Sequence, residues 1–565
     1  MRKLKAWLAS LTALSCFCAS CLPITEQIPP MHSIFANAED TEEVITSGTC
    51  GENLTWNFEE STGTLTISGT GEMENWNDER DSCWYDLHED IKEVIIEDGV
   101  TTIGECAFMI FESLTSITIP DSVTSIEKYA FNNCKALTSV TIPDSVISIG
   151  HGAFEYCFAL ESIVIPDSVI SIEEFAFYGC SALESIVIPN GVKTIKYATF
   201  MGCSSLTSVI IPDSVTAIET NAFQICGSLE SVTIPESVTS IGGYAFWGTP
   251  WLETKQNENP LVIVNNILID GTTYEQEELI IPDGVTTIAY GAFEGCESIK
   301  SVTIPDSVTA IGERAFYNCS ALESITIPDS VTTIGFSAFE YCSALESVTI
   351  PDSVTAIGER AFYNCSALES VTIPNGVTAI EDYTFYACAA LTSVTIPDGV
   401  TEIGEDAFGS CESLTSVTIP DSVTSIGGGA FSGCSALESV TIPDSVTEIG
   451  GVAFRDTPWL ETKQNENPLV IINGILIDGA NCENDVVIPD NVIAITGSAF
   501  SNSKSITSVT IPNSVTSIGG NAFYSCSALE FVTIPDSVTA IEDGAFQNCS
   551  SLTSITIPDS VTAIG

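Results

Sequence analysis

A chain of 565 residues with 75 acidic and 16 basic side chains carries a formal charge of −59. That field repels phosphate, which excludes recognition of nucleic acid or of an anionic membrane by general electrostatics. Hydrophobic residues make up 44% of the chain, enough for a long continuous core, and internal repetition overrides the usual relation between length and domain number.

Residues 1–38 read as an export signal. Arg2, Lys3 and Lys5 form a basic start, AWLASLTALSCFCASCLPI follows as a short apolar stretch, and Ala36-Asn37-Ala38 offers a small-x-small cleavage site. The run from Cys16 through Cys18 to Cys21 leaves a lipid-anchored alternative open, against which Cys18 stands where an aliphatic residue is usual. No later segment holds 18 uninterrupted apolar residues, so no membrane insertion is expected once the signal is removed. Residues 39–46 read as an acidic linker, and residues 47–91 precede the repetitive part of the chain.

Beyond residue 91 one unit recurs. Residues 301–323 and 347–369 are identical, and Phe108, Phe131, Phe154 and their successors to Phe546 mark a 23-residue period in eighteen copies. Within a unit, Leu322, Ile325 and Ile327 alternate with Glu, Ser and Thr, the pattern of a strand with one buried face. Pro328-Asp329-Ser330 is a turn, Val331–Gly335 a second short extended segment, and Ala338, Phe339 and Cys342 fill the interior on the return. No unit can bury its apolar groups alone, so neighbours must stack. A strand spacing of roughly 4.8 Å then predicts a rod on the order of 100 Å long.

The pattern Leu-x-x-Ile-x-Ile-Pro, Val-x-x-Ile-Gly, Ala-Phe-x-x-Cys resembles the BspA-like leucine-rich repeats over residues 92–565. The expectation is a mostly β chain: a right-handed leucine-rich-repeat solenoid of about twenty 23-residue coils behind a small N-terminal cap. Residues 47–91 look like the β-rich cap that this resemblance implies. Repeats occupy 92–247, 281–455 and 488–565, with irregular coils at 248–280 and 456–487. The last coil stops before its Ala-Phe-x-x-Cys, from which a truncated record is expected. The resemblance implies a secreted or cell-surface protein that attaches to matrix proteins or other cells, and binding through the first-strand face.

Fourteen cysteines stand in register. Parallel Cβ vectors about 4.8 Å apart exceed the roughly 3.8 Å that a disulfide prefers, so these read as buried free thiols. Cys50 and Cys83 lie outside that ladder and leave a cap disulfide possible. The residue after the repeat proline is Asp in fourteen copies, Glu in one and Asn in three. Calcium along this column is conceivable, but Asn190, Asn375 and Asn513 favour turn capping, and no cofactor is expected. Ser, Thr and Glu dominate the outward first-strand positions. Such uniform rows suit a repetitive ligand held weakly many times, a polysaccharide or a fibrous protein, with avidity supplying strength. A structural spacer and a substrate-capture arm of a polysaccharide-degrading bacterium are the alternatives.

Unique recognition, if any, falls where the pattern breaks. The irregular coils expose Trp251, Lys255, Gln256, Asn257 and Asn259, then Trp459, Lys463, Gln464, Asn465 and Asn467. Tryptophan with amides suits sugar binding; the competing reading has each Trp plugging the core and the polar run forming a loop. On the regular rows Arg314 and Arg360, two coils apart, are a sparse basic pair and the candidate ligand contacts, with charge pairing to Glu313 and Glu359 as the competing reading. Beyond residue 38 only His88 and His151 occur, and no hydrolase, metalloprotease or phosphate-loop motif is present, so no enzyme is expected.

Overall fold

A computed structural model describes residues 46–565; the expected signal peptide, its Ala36-Asn37-Ala38 site, Cys16, Cys18, Cys21 and all but the last residue of the acidic linker lie outside the described residues. The cap begins with β1 (Ser47–Gly51), β2 (Leu54–Glu59) and β3 (Thr64–Gly69). Strict alternation buries Leu54, Trp56 and Phe58 while the residues between face out. The three strands pair antiparallel, and β3 then pairs in parallel with Glu93–Ile96 of the first coil. The cap thus hands its free edge to the stack. Trp84 lies over Phe108 at 5.4 Å, nearly parallel, and its indole N–H donates to the Ala107 carbonyl across 2.7 Å. A tryptophan therefore covers the first phenylalanine of the interior column.

About 21 turns of roughly 23 residues follow. Each regular coil has a three-residue first strand and a two-residue second strand, such as Ser324–Thr326 and Thr333–Ile334. Both pair in parallel with the next coil without slippage: Ser324 with Ser347, Thr333 with Ala356. Between them the turn closes by a bond from the Val331 N–H to the Pro328 carbonyl. The expected capping role of the aspartate passes to the serine beside it: the Ser330 hydroxyl donates to the Val308 carbonyl of the preceding coil at 2.6 Å. Aspartate is left exposed. The phenylalanines stack at 5.2–5.5 Å from Phe108 to Phe246. Two residues per coil adopt left-handed backbone beside this column, among them Arg314 (φ 51) and Asn318 (φ 56).

The two irregular coils share one design. The polar run expected as a loop is instead a helix, α1 (Pro250–Glu258) and its duplicate α2 (Pro458–Glu466). Thr249 caps α1 through a bond from the Leu252 N–H, with Pro250 in the first turn, and Thr457 and Pro458 repeat this. A hairpin follows each helix, Val262–Val264 with Ile267–Asp270 and Val470–Ile472 with Ile475–Asp478. Its two-residue turns, Asn265-Asn266 and Asn473-Gly474, all have positive φ. The Asn265 amide donates to the Pro235 and Val238 carbonyls at 2.7 and 3.0 Å, tying the hairpin to the coil before it. Around these two interruptions the apolar interior divides into three clusters.

Candidate binding surfaces

The first-strand face is a set of rows with unspent polar groups. Ser324 and Thr326, Ser347 and Thr349, and Ser370 and Thr372 are all exposed, each row flanked by Glu323, Glu346 or Glu369. Just ahead of the strands the threonine hydroxyls are used within the rod: Thr332 and Thr424, before second strands, donate to the Thr309 and Thr401 carbonyls at 3.3 Å, and Thr392, before a first strand, donates to that of Glu369 at 3.2 Å. Among the described residues no such bond engages the hydroxyls of Thr326, Thr349 or Thr372.

The irregular coils place their sequence-predicted residues differently from one another. Trp251 and Trp459 are each only 6% exposed. Their rings pack on Phe246 and Phe454, both at 4.7 Å, closing the end of a phenylalanine column. These rings therefore serve the interior, and their faces are not open to a pyranose. Gln256 and Gln464 donate to Asp270 and Asp478, each at 2.9 Å. Asn259 and Asn467 accept from the Leu261 and Leu469 N–H groups at 3.0 Å. Lys255 and Lys463 pair along the helix with Glu258 and Glu466. Only Asn257 and Asn465 of this set stand as exposed amides free of a described bond.

Beside α2 lies a pocket of about 230 Å³ lined by Val452, Arg455, Asp456, Gln464, Asp478 and Ser501, among others. Arg455 contacts Asp456 at 3.7 Å, and burial pushes the Asp478 carboxyl above its ordinary range. Alignment of the duplicated coils puts Tyr244, Trp247 and Glu294 where the second has Val452, Arg455 and Ser501. Tyr244 hydrogen-bonds Glu294 there. Glu294 is also the partner of Arg314, at 2.9 Å, in place of the neighbouring Glu313 expected. Arg360 does contact Glu359, at 3.4 Å. Both guanidinium groups lie against tyrosine rings, Arg314 at 3.9 Å from Tyr317 and Arg360 at 5.0 Å from Tyr383. Reading the sequence missed this because the tyrosines sit on other coils or across the turn.

Among the described residues, no group of three or more His, Cys, Asp or Glu side chains is arranged to hold a metal ion. His151 contacts the Tyr129 hydroxyl at 3.1 Å, and burial, reinforced by Lys128, lowers its pKa despite Glu174 at 3.7 Å. The cysteines of the ladder are free thiols, as are Cys50 and Cys83 of the cap.

Stacked 23-residue coils with these columns match the BspA type leucine-rich repeat region (6 copies) at residues 80–160, 147–269, 270–388, 356–474 and 478–565. The chain belongs to this family. A leucine-rich cell surface protein from Faecalibacterium prausnitzii is 32% identical, over 63% of this chain and 95% of its own, with a TM-score of 0.37. A leucine-rich repeat protein from Bacteroides ovatus is 27% identical over 72% of this chain and 91% of its own, with a TM-score of 0.33. One from Eubacterium ventriosum is 25% identical over 73% and 95%, with a TM-score of 0.38. No curated protein is similar. Among the described residues no helix of this BspA-type chain is long and apolar enough to cross a membrane.

Proposed function

We propose that this BspA-type protein is a secreted or cell-surface binding protein, acting without catalysis. Its first-strand face engages an extended, repetitive extracellular ligand, a matrix protein or a polysaccharide. The observation that carries this reading is the row of exposed first-strand hydroxyls: Thr326, Thr349 and Thr372 stand on the outward face, each free of a described bond. Identical rows at strand spacing offer one weak contact per coil, and many such contacts add up through avidity. The similar Faecalibacterium prausnitzii protein is a leucine-rich cell surface protein, which agrees with this placement.

The test is binding of the full chain, at high surface density, to arrays of matrix proteins and polysaccharides. Retention by a polymer, with short fragments of that polymer competing poorly, is the expected result. A T326K/T349K/T372K variant should lower that retention while its circular dichroism is unchanged. Absence of any retention, together with ordered lateral assembly of the rods, would replace this reading with a structural spacer.

A further inference from the structure

One stretch of the first-strand face departs from the rest. The position following the buried strand residue is Thr in most regular coils, as at Thr141, Thr233 and Thr326, but Val164, Val187 and Ile210 occupy it in three successive coils. These side chains are 71%, 57% and 61% exposed. Val187 pairs directly with Ile210 across the parallel ladder, and Val164 stands on the neighbouring strand of the coil before. Single exposed aliphatics are ordinary on any surface; a run of three at strand spacing, each replacing a hydroxyl, is not. Ile280 and Val487 occupy the same position in isolated rows, each at the end of an irregular coil.

The borders of the line are acidic on both sides. Glu161 and Glu184 stand exposed three residues before Val164 and Val187. At the turn beyond the strand Asp167 and Asp213 stand exposed on the Val164 and Ile210 rows, with Asn190 between them on the Val187 row donating to Asp167 at 3.3 Å. The lysines near this region are engaged elsewhere or displaced: Lys135 pairs with Glu112 and Lys196 with Glu173, while Lys193 lies on the second-strand row with Ile147 and Ile170.

We propose that Val164, Val187 and Ile210, between these carboxylate borders, form a docking ridge for an extended apolar segment of another protein flanked by lysine or arginine. The charge pattern selects this occupant. An apolar centre needs aliphatic contact, and carboxylates on both sides reward cations at both ends of the segment. A second copy brings the same carboxylates and a charge of −59, so it is repelled. The ridge lies on the face assigned above to repetitive binding and rests on that reading only in using the same face. It adds a row-specific site to an otherwise uniform surface.

The probe is a synthetic peptide with an alternating isoleucine–valine core between lysine pairs. Two controls keep the lysines with a threonine core, or the apolar core with glutamate ends. The full chain should bind the probe at least about tenfold more tightly than either control. V164T/V187T/I210T, which restores the residue found in the other coils, should reduce probe binding to the level of the threonine-core control. E161Q/E184Q should weaken binding and flatten its salt dependence. Equal binding of probe and threonine-core control would show that net charge alone acts, and would overturn the proposal. So would unchanged probe binding by the threonine variant, or self-association of the parent that this variant abolishes. Polymer retention is measured on the same two proteins: its loss in both, with probe discrimination intact, defeats the wider reading and leaves the ridge standing.

Discussion

The thiol of Cys342 donates to the carbonyl oxygen of Phe316, 26 residues earlier, across 3.2 Å. The same step recurs from Cys319 to Phe293 at 3.1 Å and from Cys388 to Phe362 at 3.3 Å. The cysteine column is therefore more than apolar filler. It gives a buried backbone acceptor, already bonded by the Cys319 N–H at 3.2 Å, a second donor at the place where the chain leaves the phenylalanine column. Burial pushes Cys157 and Cys388 up to about 12, which keeps the donor proton in place. A thiol reagent should modify exposed Cys83 and half-buried Cys549 in the native protein, and reach the interior column only on unfolding. Prompt native modification of Cys342 would contradict this arrangement. Cys342→Ala, which removes one of the two donors to the Phe316 carbonyl and leaves a small void, should cost about 1 kcal/mol by denaturant titration.

Trp251 and Trp459 test whether the irregular coils bind through their rings or hold the rod together. Each ring closes a phenylalanine stack, so Trp251→Ala should cost about 3–5 kcal/mol locally. Hydrogen exchange should show the loss in the coils around Phe246 and leave the far end of the rod unchanged. A double alanine variant that stays fully protected yet loses polysaccharide retention would return these rings to the binding surface.

Glu155 gives the rod a pH response. Burial raises its carboxyl to about 7, although the Asn132 amide donates to it at 2.8 Å and opposes the shift. A carboxyl whose pKa is higher folded than unfolded stabilises the fold most below the unfolded value. That contribution is lost as pH rises from about 4.5 toward about 7. Because Glu155 is partly exposed, solvent screening reduces the effect to roughly 1–2 kcal/mol. Glu155→Gln should flatten the melting temperature over this interval and raise it above pH 7. A variant whose melting temperature follows the parent at every pH would rule this out.

Ile225 holds left-handed backbone, φ 60, with its side chain 41% exposed. The equivalent position is Asn in several coils, including Asn318 and Asn364. A β-branched residue there costs on the order of 1 kcal/mol relative to asparagine. Ile225→Asn should therefore stabilise the protein by up to about 1 kcal/mol in thermal or denaturant unfolding.

How much of this was legible in the sequence follows from what repetition can and cannot report. The strands, the Pro-Asp turn, the buried thiols and the phenylalanine column all recur, so residue pattern and spacing suffice for them. The helices α1 and α2 were misread as loops because PWLETKQNE occurs outside the period and has no apolar stripe; the Thr-Pro start was the available signal. Asn265-Asn266 and Asn473-Gly474 were likewise readable as hairpin turns. Arg314 found Glu294 on the preceding coil, in place of its sequence neighbour Glu313. The exposed line at Val164, Val187 and Ile210 was visible as a change of residue in one column. Its significance needed the exposure of those side chains, because a Val after a buried Ile could equally have pointed inward at a bulge.

The division of the interior into three clusters also has a mechanical side. Force along a stack of nearest-neighbour contacts is borne in series, so the weakest joint sets the strength. The phenylalanine columns end at Trp251 and Trp459, and there a short helix and hairpin replace a full coil. These joints would act as fuses: a tethered rod under shear should lengthen in discrete steps, one block at a time, and the blocks still folded would keep their rows in place.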